Sequence, residues 1–205
     1  MKLRIIRSAL VAAGLAAALS LAACSKDDDH AGMPMDQSSV RPAGSPTAAP
    51  AGDFNHADVA FAQGMIPHHQ QAIDMSDMIL AEENVHPEVT ALAERIKAAQ
   101  QPEIDTMNRW LEAWGRIQMD DGGRHHGAEG GFMTEAQMRQ LDKANASDGQ
   151  RLYLEGMIRH HQGAINMAET ETEDGNNEEA INLAHQIAET QQQEIETMQE
   201  LLAKL

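Results

Sequence analysis

One cysteine, three phenylalanines, two tryptophans and one tyrosine make up the thiol and aromatic content of this 205-residue chain. The lone thiol, Cys24, lies near the N-terminus, so the remainder can form neither an internal disulfide nor a thiolate metal cage. Any metal held there must be bound by His, Met, carboxylate or water. Basic side chains are scarce as well: 15 Lys and Arg face 32 Asp and Glu, for a formal charge of −17. Such a surface repels nucleic acid and anionic headgroups and concentrates cations, although it serves plain solubility equally. A nucleophile–base constellation and a phosphate loop are also missing, which argues against hydrolase and nucleotide chemistry.

The first residues set the compartment. Lys2, Arg4 and Arg7 precede an apolar stretch from Ala9 to Ala23. It is shorter than the roughly 20 residues of a spanning helix and ends in small residues, so residues 1–23 read as an export signal. The end, Leu21-Ala22-Ala23-Cys24, resembles a bacterial lipobox, in which the cysteine is acylated and becomes the mature N-terminus. The alternative is an ordinary signal peptide followed by an incidental cysteine. Ser25 follows Cys24, which by resemblance to Gram-negative sorting rules favours the outer membrane, facing the periplasm. Loss of the signal takes the formal charge from −17 to −20.

Residues 24–52 hold Pro34, Pro42, Pro46 and Pro50 among Ala, Gly, Ser and Thr. This stretch cannot bury a core and reads as a tether. His30, Met33 and Met35 within it form either an auxiliary soft-metal handle or a solvated linker.

Residues 53–205 suffice for one packed domain. Ala, Gln, Glu, Leu and Met dominate, β-branched residues are few, and the expectation is all-α. An internal repeat organises it. Gly64-Met65-Ile66-Pro67-His68-His69-Gln70-Gln71-Ala72-Ile73-Asp74-Met75 recurs 92 residues later as Gly156-Met157-Ile158-Arg159-His160-His161-Gln162-Gly163-Ala164-Ile165-Asn166-Met167. Ile96, Gln100, Gln101, Glu103, Ile104, Thr106 and Met107 recur as Ile187, Gln191, Gln192, Glu194, Ile195, Thr197 and Met198, here 91 residues on. Each copy is two amphipathic helices around a polar turn, Asn84 to Pro87 or Asp174 to Asn177. Two such hairpins, joined by a crossover of about Gly115 to Ser147, predict a ferritin-like four-helix bundle. Thr134-Glu135-Ala136-Gln137 predicts a small capped helix in the crossover. Pro67 should bend the first helix near His68, and Arg159 at the matching position should not.

The helical period turns the motif inward. At about 100° per residue from Phe61, the apolar residues of the first helix span about −40° to +140°, with His68 near −20° and His69 near +80°. His160 and His161 sit alike around Tyr153, Met157, Ala164, Ile165 and Met167. On the partner helix Leu92, Ile96, Met107, Trp110 and Trp114 mark the inward face, which also takes Glu103, with Gln100 beside it. Leu183, Ile187, Gln191, Glu194 and Met198 repeat this arrangement. A carboxylate in a core needs a partner. The bland assignment pairs His68 with Glu103 and His160 with Glu194 as register-fixing polar pairs.

The functional assignment makes His68, His69, His160 and His161 metal ligands, with Met65, Met75, Met157 and Met167 as further candidates. Glu103, Glu194, Met107 and Met198 would support or join the site. Imidazole and thioether without thiolate favour copper, Cu(I) taking the softer set and Cu(II) the nitrogen and oxygen set. A di-iron site would need a repeated Glu-x-x-His, and only Glu83-Asn84-Val85-His86 occurs, once and at a helix end. His185 falls on an outward face, His125-His126 in a Gly-rich loop, and His56 just before the first helix.

The doubled GMIPHHQQAIDM and GMIRHHQGAINM blocks, with their downstream Gln-x-x-Glu-Ile-x-x-Met blocks, resemble the bacterial domain-of-unknown-function 305 family over about residues 55–205. The resemblance implies a ferritin-like fold, export and, for the members with an assigned role, periplasmic copper binding that supports copper tolerance. It implicates the four histidines, with Met65, Met75, Met157 and Met167 beside them. The resulting expectation is a non-catalytic envelope protein that binds or buffers copper, touching the membrane only through its lipid anchor. A metal-dependent ferritin-like oxidoreductase and a metal-free helical interaction module are the alternatives.

Overall fold

A computed structural model describes residues 52–116 and 130–205. Cys24, the tether with His30, Met33 and Met35, and the His125-His126 loop lie outside the described residues. Five helices make up the described part. No helix among the described residues is long and apolar enough to cross a membrane.

Helix α1 (His56–Leu80) begins at Asn55, whose side chain accepts from the amides of Ala57 and Asp58 while Asp58 accepts from the Asn55 amide. The exchange satisfies donors that a helix start leaves unpaired. The helix continues through Pro67. Helix α2 (Pro87–Ala113) opens on Pro87, whose missing N–H costs nothing in a first turn, and is capped by His86. The connection before it, residues 81–86, is longer than the expected turn and passes through Asn84 in the left-handed region (φ 65°), which Asn tolerates.

Helix α3 (Glu135–Asp142) is the expected crossover helix, with Thr134 and Gln137 forming its capping box. Helix α4 (Ala146–Asp174) follows the Asn145 cap. Helix α5 (Glu178–Lys204) follows the Asn177 cap after only Gly175-Asn176-Asn177. The all-α expectation of two hairpins holds.

Helix α1 packs on α2 and α4 on α5, and the hairpins join chiefly through α1 against α4. Those two central helices run antiparallel. Gly64 faces Met167, His68 faces His160, Ser76 faces Tyr153 and Ile79 faces Gly149. Because Gly64 matches Gly156 and Met75 matches Met167, the contacts exchange under the repeat: the Met75 methyl lies over Gly156 as the Met167 sulfur lies over Gly64. The duplication is therefore a pseudo-two-fold relation in space. The core separates into two apolar clusters. One is built around Met75, Leu92, Ile96, Tyr153 and Met198, the other around Phe61, Met65, Met107, Trp114 and Ile187. The His-His motifs fall between these clusters along α1 and α4.

Candidate metal centre

All four motif histidines are buried, His68, His69 and His161 completely and His160 to within 1 %. The rings of His68 and His160 meet across the α1–α4 seam, tilted by 36° with centroids 3.7 Å apart. Their flanking neighbours point to the outer helices. His69 Nε2 lies 2.8 Å from Glu103 Oε2 on α2, and His161 Nε2 lies 2.7 Å from Glu194 Oε2 on α5. This corrects the expected pairing: the carboxylates bind the second histidine of each motif, not His68 and His160. The two positions lie about 100° apart on the wheel, and only the second lies on the side toward its own hairpin partner. Glu103 and Glu194 are also less buried than expected, with side chains 19 % and 14 % exposed.

A carboxylate and a carbonyl accept, so these contacts place a proton on Nε2 of each ring. His69 and His161 each donate from Nε2 to a glutamate, and His68 donates from Nε2 to the Gly130 carbonyl at 2.9 Å. Nδ1 is then the remaining ring nitrogen of all three, and a bare lone pair in His68, which burial keeps neutral. Each of these Nδ1 atoms is buried without a hydrogen-bond partner, as are both ring nitrogens of His160. Leaving one buried polar atom unsatisfied costs about 1–3 kcal/mol. Five together are a poor way to build a core and an apt way to build a ligand set.

Burial pushes His68 down to about 3, aided by the nearby charge sites of His69 and His161 and opposed by the Gly130 carbonyl. His160 is held well below the ordinary imidazole range by burial first, then by His68, His161 and His69. These two rings are therefore neutral, the form that binds metal. Among the described residues no three His, Cys, Asp or Glu side chains stand together as a preformed cage. The His68 and His160 rings would have to turn to share an ion.

Met65, Met75, Met107, Met157 and Met198 are fully buried, and Met167 is half-buried. They divide between the two apolar clusters and fill them. His185 is exposed on α5, as expected, and His86 caps α2.

Several residues at the centre were not assigned to it from the sequence, although Gln71, Gln100 and Gln191 lie in the repeated blocks. Gly130 and Phe132 of the crossover reach His68, Phe132 edge-on at 4.6 Å between centroids. Gln71 holds the backbone of Met133. Gln100 is buried with neither amide atom paired, and Gln191 with its Oε1 unpaired. The hint in the sequence was the break in the repeat, Gln71 against Gly163.

A second buried polar site lies at the far end of the α1–α4 seam. Asp58 accepts from the amides of Asn55, Asn176 and Asn177. Burial raises its carboxyl, but those amides and Glu171 outweigh it and hold it below the ordinary range. Glu171, 1 % exposed, is pushed up to about 8 by burial first and then by the neighbouring Asp58 carboxylate.

The model of the family described as "Domain of unknown function (DUF305)" matches residues 58–202. A DUF305 fragment from Deinococcus radiodurans is similar in structure at TM-score 0.69 and 32 % identity, covering 74 % of this chain and 98 % of that one. A DUF305 protein from Streptomyces coelicolor, described as a candidate secreted protein, matches at TM-score 0.66 and 32 % identity over 72 % and 91 % of the two chains. CopM in its Cu(II)-bound form matches at TM-score 0.64 and 33 % identity over 72 % and 96 %, and CopM has also been solved in a Cu(I)-bound form. No curated protein matches the chain.

Proposed function

The chain belongs to the DUF305 family, and from that premise we propose that it binds and buffers copper at the cell envelope through His68, His69, His160 and His161. One observation carries the reading: three imidazoles have Nε2 committed to an acceptor and Nδ1 buried and unpartnered. A histidine whose far nitrogen donates to a carboxylate is the usual support for a metal ligand, because the carboxylate fixes ring orientation and raises basicity. Glu103 and Glu194 do this for His69 and His161. The fully buried methionines nearest in sequence, Met65, Met75 and Met157, with Met167, are proposed as softer donors that favour Cu(I). The similarity to CopM, a protein solved with both Cu(I) and Cu(II), supports copper over other metals.

Bound copper would engage one nitrogen from each ring it takes and tie α1 to α4; the remaining work belongs to the chain. The glutamates fix the orientation of two rings, burial keeps His68 and His160 neutral, and the two apolar clusters exclude water. Acylation at Cys24 would place the domain at a membrane surface, at the periplasmic face of the outer membrane in a Gram-negative cell.

The test is titration of the purified domain with Cu(I) and Cu(II), with metal content counted by elemental analysis. Saturable binding is the expected result, with His68→Ala plus His160→Ala removing most of it for Cu(II) and weakening it for Cu(I). A wild-type chain that binds neither ion would leave the histidines as structural groups and overturn the proposal.

A further inference from the structure

The two copies of the motif match closely from Gly64 and from Gly156, yet Gln71 in the first stands against Gly163 in the second. Both positions are occupied by the same short piece of the crossover. Gln71 donates from Nε2 to the Met133 carbonyl at 3.0 Å and accepts from the Met133 amide at 2.8 Å, closing a two-bond clamp on that backbone. At Gly163 the crossover comes so near that an added Cβ would overlap the Gly130 carbonyl. Gly131, at φ +78°, has the left-handed conformation glycine favours, and a Cβ there would stand 2.5 Å from the Arg159 carbonyl oxygen. Residues 130–133 thus lie across the seam at the level of the histidines. Gly130 accepts from His68, and Phe132 presents its edge to His68 at 4.6 Å and to His160 at 5.9 Å.

We propose that residues 130–133 form a strap, docked by Gln71 and Gly163, that makes two repeat-related histidines unequal. The strap gives His68 a fixed Nε2–H tautomer, leaving Nδ1 as its only donor to a ligand. It gives His160 only an aromatic edge. Phe132 closes one side of the pair against water. Gln71, Gly130 and Gly163 are positioning residues acting through His68, and Phe132 slows exchange of a bound ion. The consequence for copper rests on the histidine reading above; the consequence for the His68 tautomer does not.

The test uses Gly163→Ala, Gln71→Leu and Phe132→Ala, with Gln71→Glu as the conservative variant, which keeps one of the two clamp bonds. In metal-free protein, nitrogen NMR of the His68 ring reports its tautomer. Wild type should show a single Nε2–H form with a slowly exchanging proton. Gly163→Ala and Gln71→Leu should show a tautomer mixture and fast exchange with helicity retained, and Gln71→Glu should recover much of the wild-type signal. In copper-loaded protein, transfer to an excess of a chelator should be roughly tenfold faster for Gly163→Ala and Phe132→Ala at unchanged stoichiometry. A single fixed tautomer in every variant, with unchanged transfer rates, overturns the strap. If Gly163→Ala does not fold, Gln71→Leu and Phe132→Ala decide the matter. Changed tautomers in a protein whose copper binding ignores His68→Ala with His160→Ala would sink the histidine site and leave the strap standing.

Discussion

The His68 and His160 rings meet 36° from parallel with centroids 3.7 Å apart, two equivalent positions of a duplicated motif in direct contact across the α1–α4 seam. Two cations could not stand there. The contact requires neutral rings, and burial supplies them.

Replacing both residues should separate the two oxidation states of copper. His68→Ala with His160→Ala should abolish most Cu(II) binding and leave weaker Cu(I) binding, because thioethers remain and nitrogen donors do not. The gain in melting temperature that a ligand binding only the folded state confers should vanish for Cu(II). Titration calorimetry and thermal melts with each ion decide it; undiminished Cu(II) affinity would move the site elsewhere.

Glu103→Gln and Glu194→Gln keep the shape and an acceptor for His69 and His161 but remove the charge. Copper affinity should fall about tenfold or more in the double variant, while metal-free stability changes by less than about 1 kcal/mol because the carboxylates are partly exposed. Equal affinity for wild type and variant would relegate the glutamates to packing.

Ser76 and Tyr153 join hydroxyls at 3.0 Å inside the core, and Ser76 Oγ also lies 2.8 Å from the Ala72 carbonyl. The repeat places Ala168 and Phe61 at the matching positions, an apolar version of the same contact. Ser76→Ala alone strands the Tyr153 hydroxyl and should cost about 1–3 kcal/mol. Adding Tyr153→Phe should recover most of that loss, since the double variant reproduces the sibling pair. A double-mutant cycle by denaturant unfolding reads the coupling; strictly additive losses would show that the hydroxyls do not act together.

Glu171 gives the stability a slope with pH. Its folded value, about 8, lies above the ordinary carboxyl value of 4.5, so the folded state holds a proton that the unfolded chain releases. Its contribution is complete below about pH 4.5 and lost as pH rises through about 8. His68, lowered to about 3, gives the opposite slope at acid pH, so the comparison must be between chains. Glu171→Gln should be more stable than wild type above pH 8 by an amount on the order of a few kcal/mol, with the gap closing toward pH 4.5. Melts of metal-free protein from pH 5 to 9 measure it; parallel curves would mean Glu171 ionises freely.

Cys24→Ser should release the full chain from membranes if the lipobox is used. Fractionation after a salt wash reports this, and a variant that still sediments would end the lipid-anchor proposal.

The sequence made the hairpins legible because two strong signals coincide there, a 3.6-residue apolar period and a pair of blocks repeated 92 and 91 residues on. The cap at Thr134 was legible because its chemistry is local. The histidine–glutamate pairing was not, because a helical wheel places a residue on a face to within tens of degrees, and His68 and His69 both fell on the inward side. Gly130, Phe132 and Met133 were invisible for another reason. Their contacts span about 30–60 residues of chain and depend on the path of the crossover. Only the mismatch of Gln71 and Gly163 recorded that path in the sequence.

The antiparallel crossing of α1 and α4 brings a half-site from each copy together within one chain. Two separate hairpins could build the same centre only by meeting in solution, and would lose it on dilution as any weak dimer does. Joined covalently, the halves hold each other at a fixed effective concentration. Occupancy of the proposed centre would then follow the supply of the ion and not the abundance of the protein.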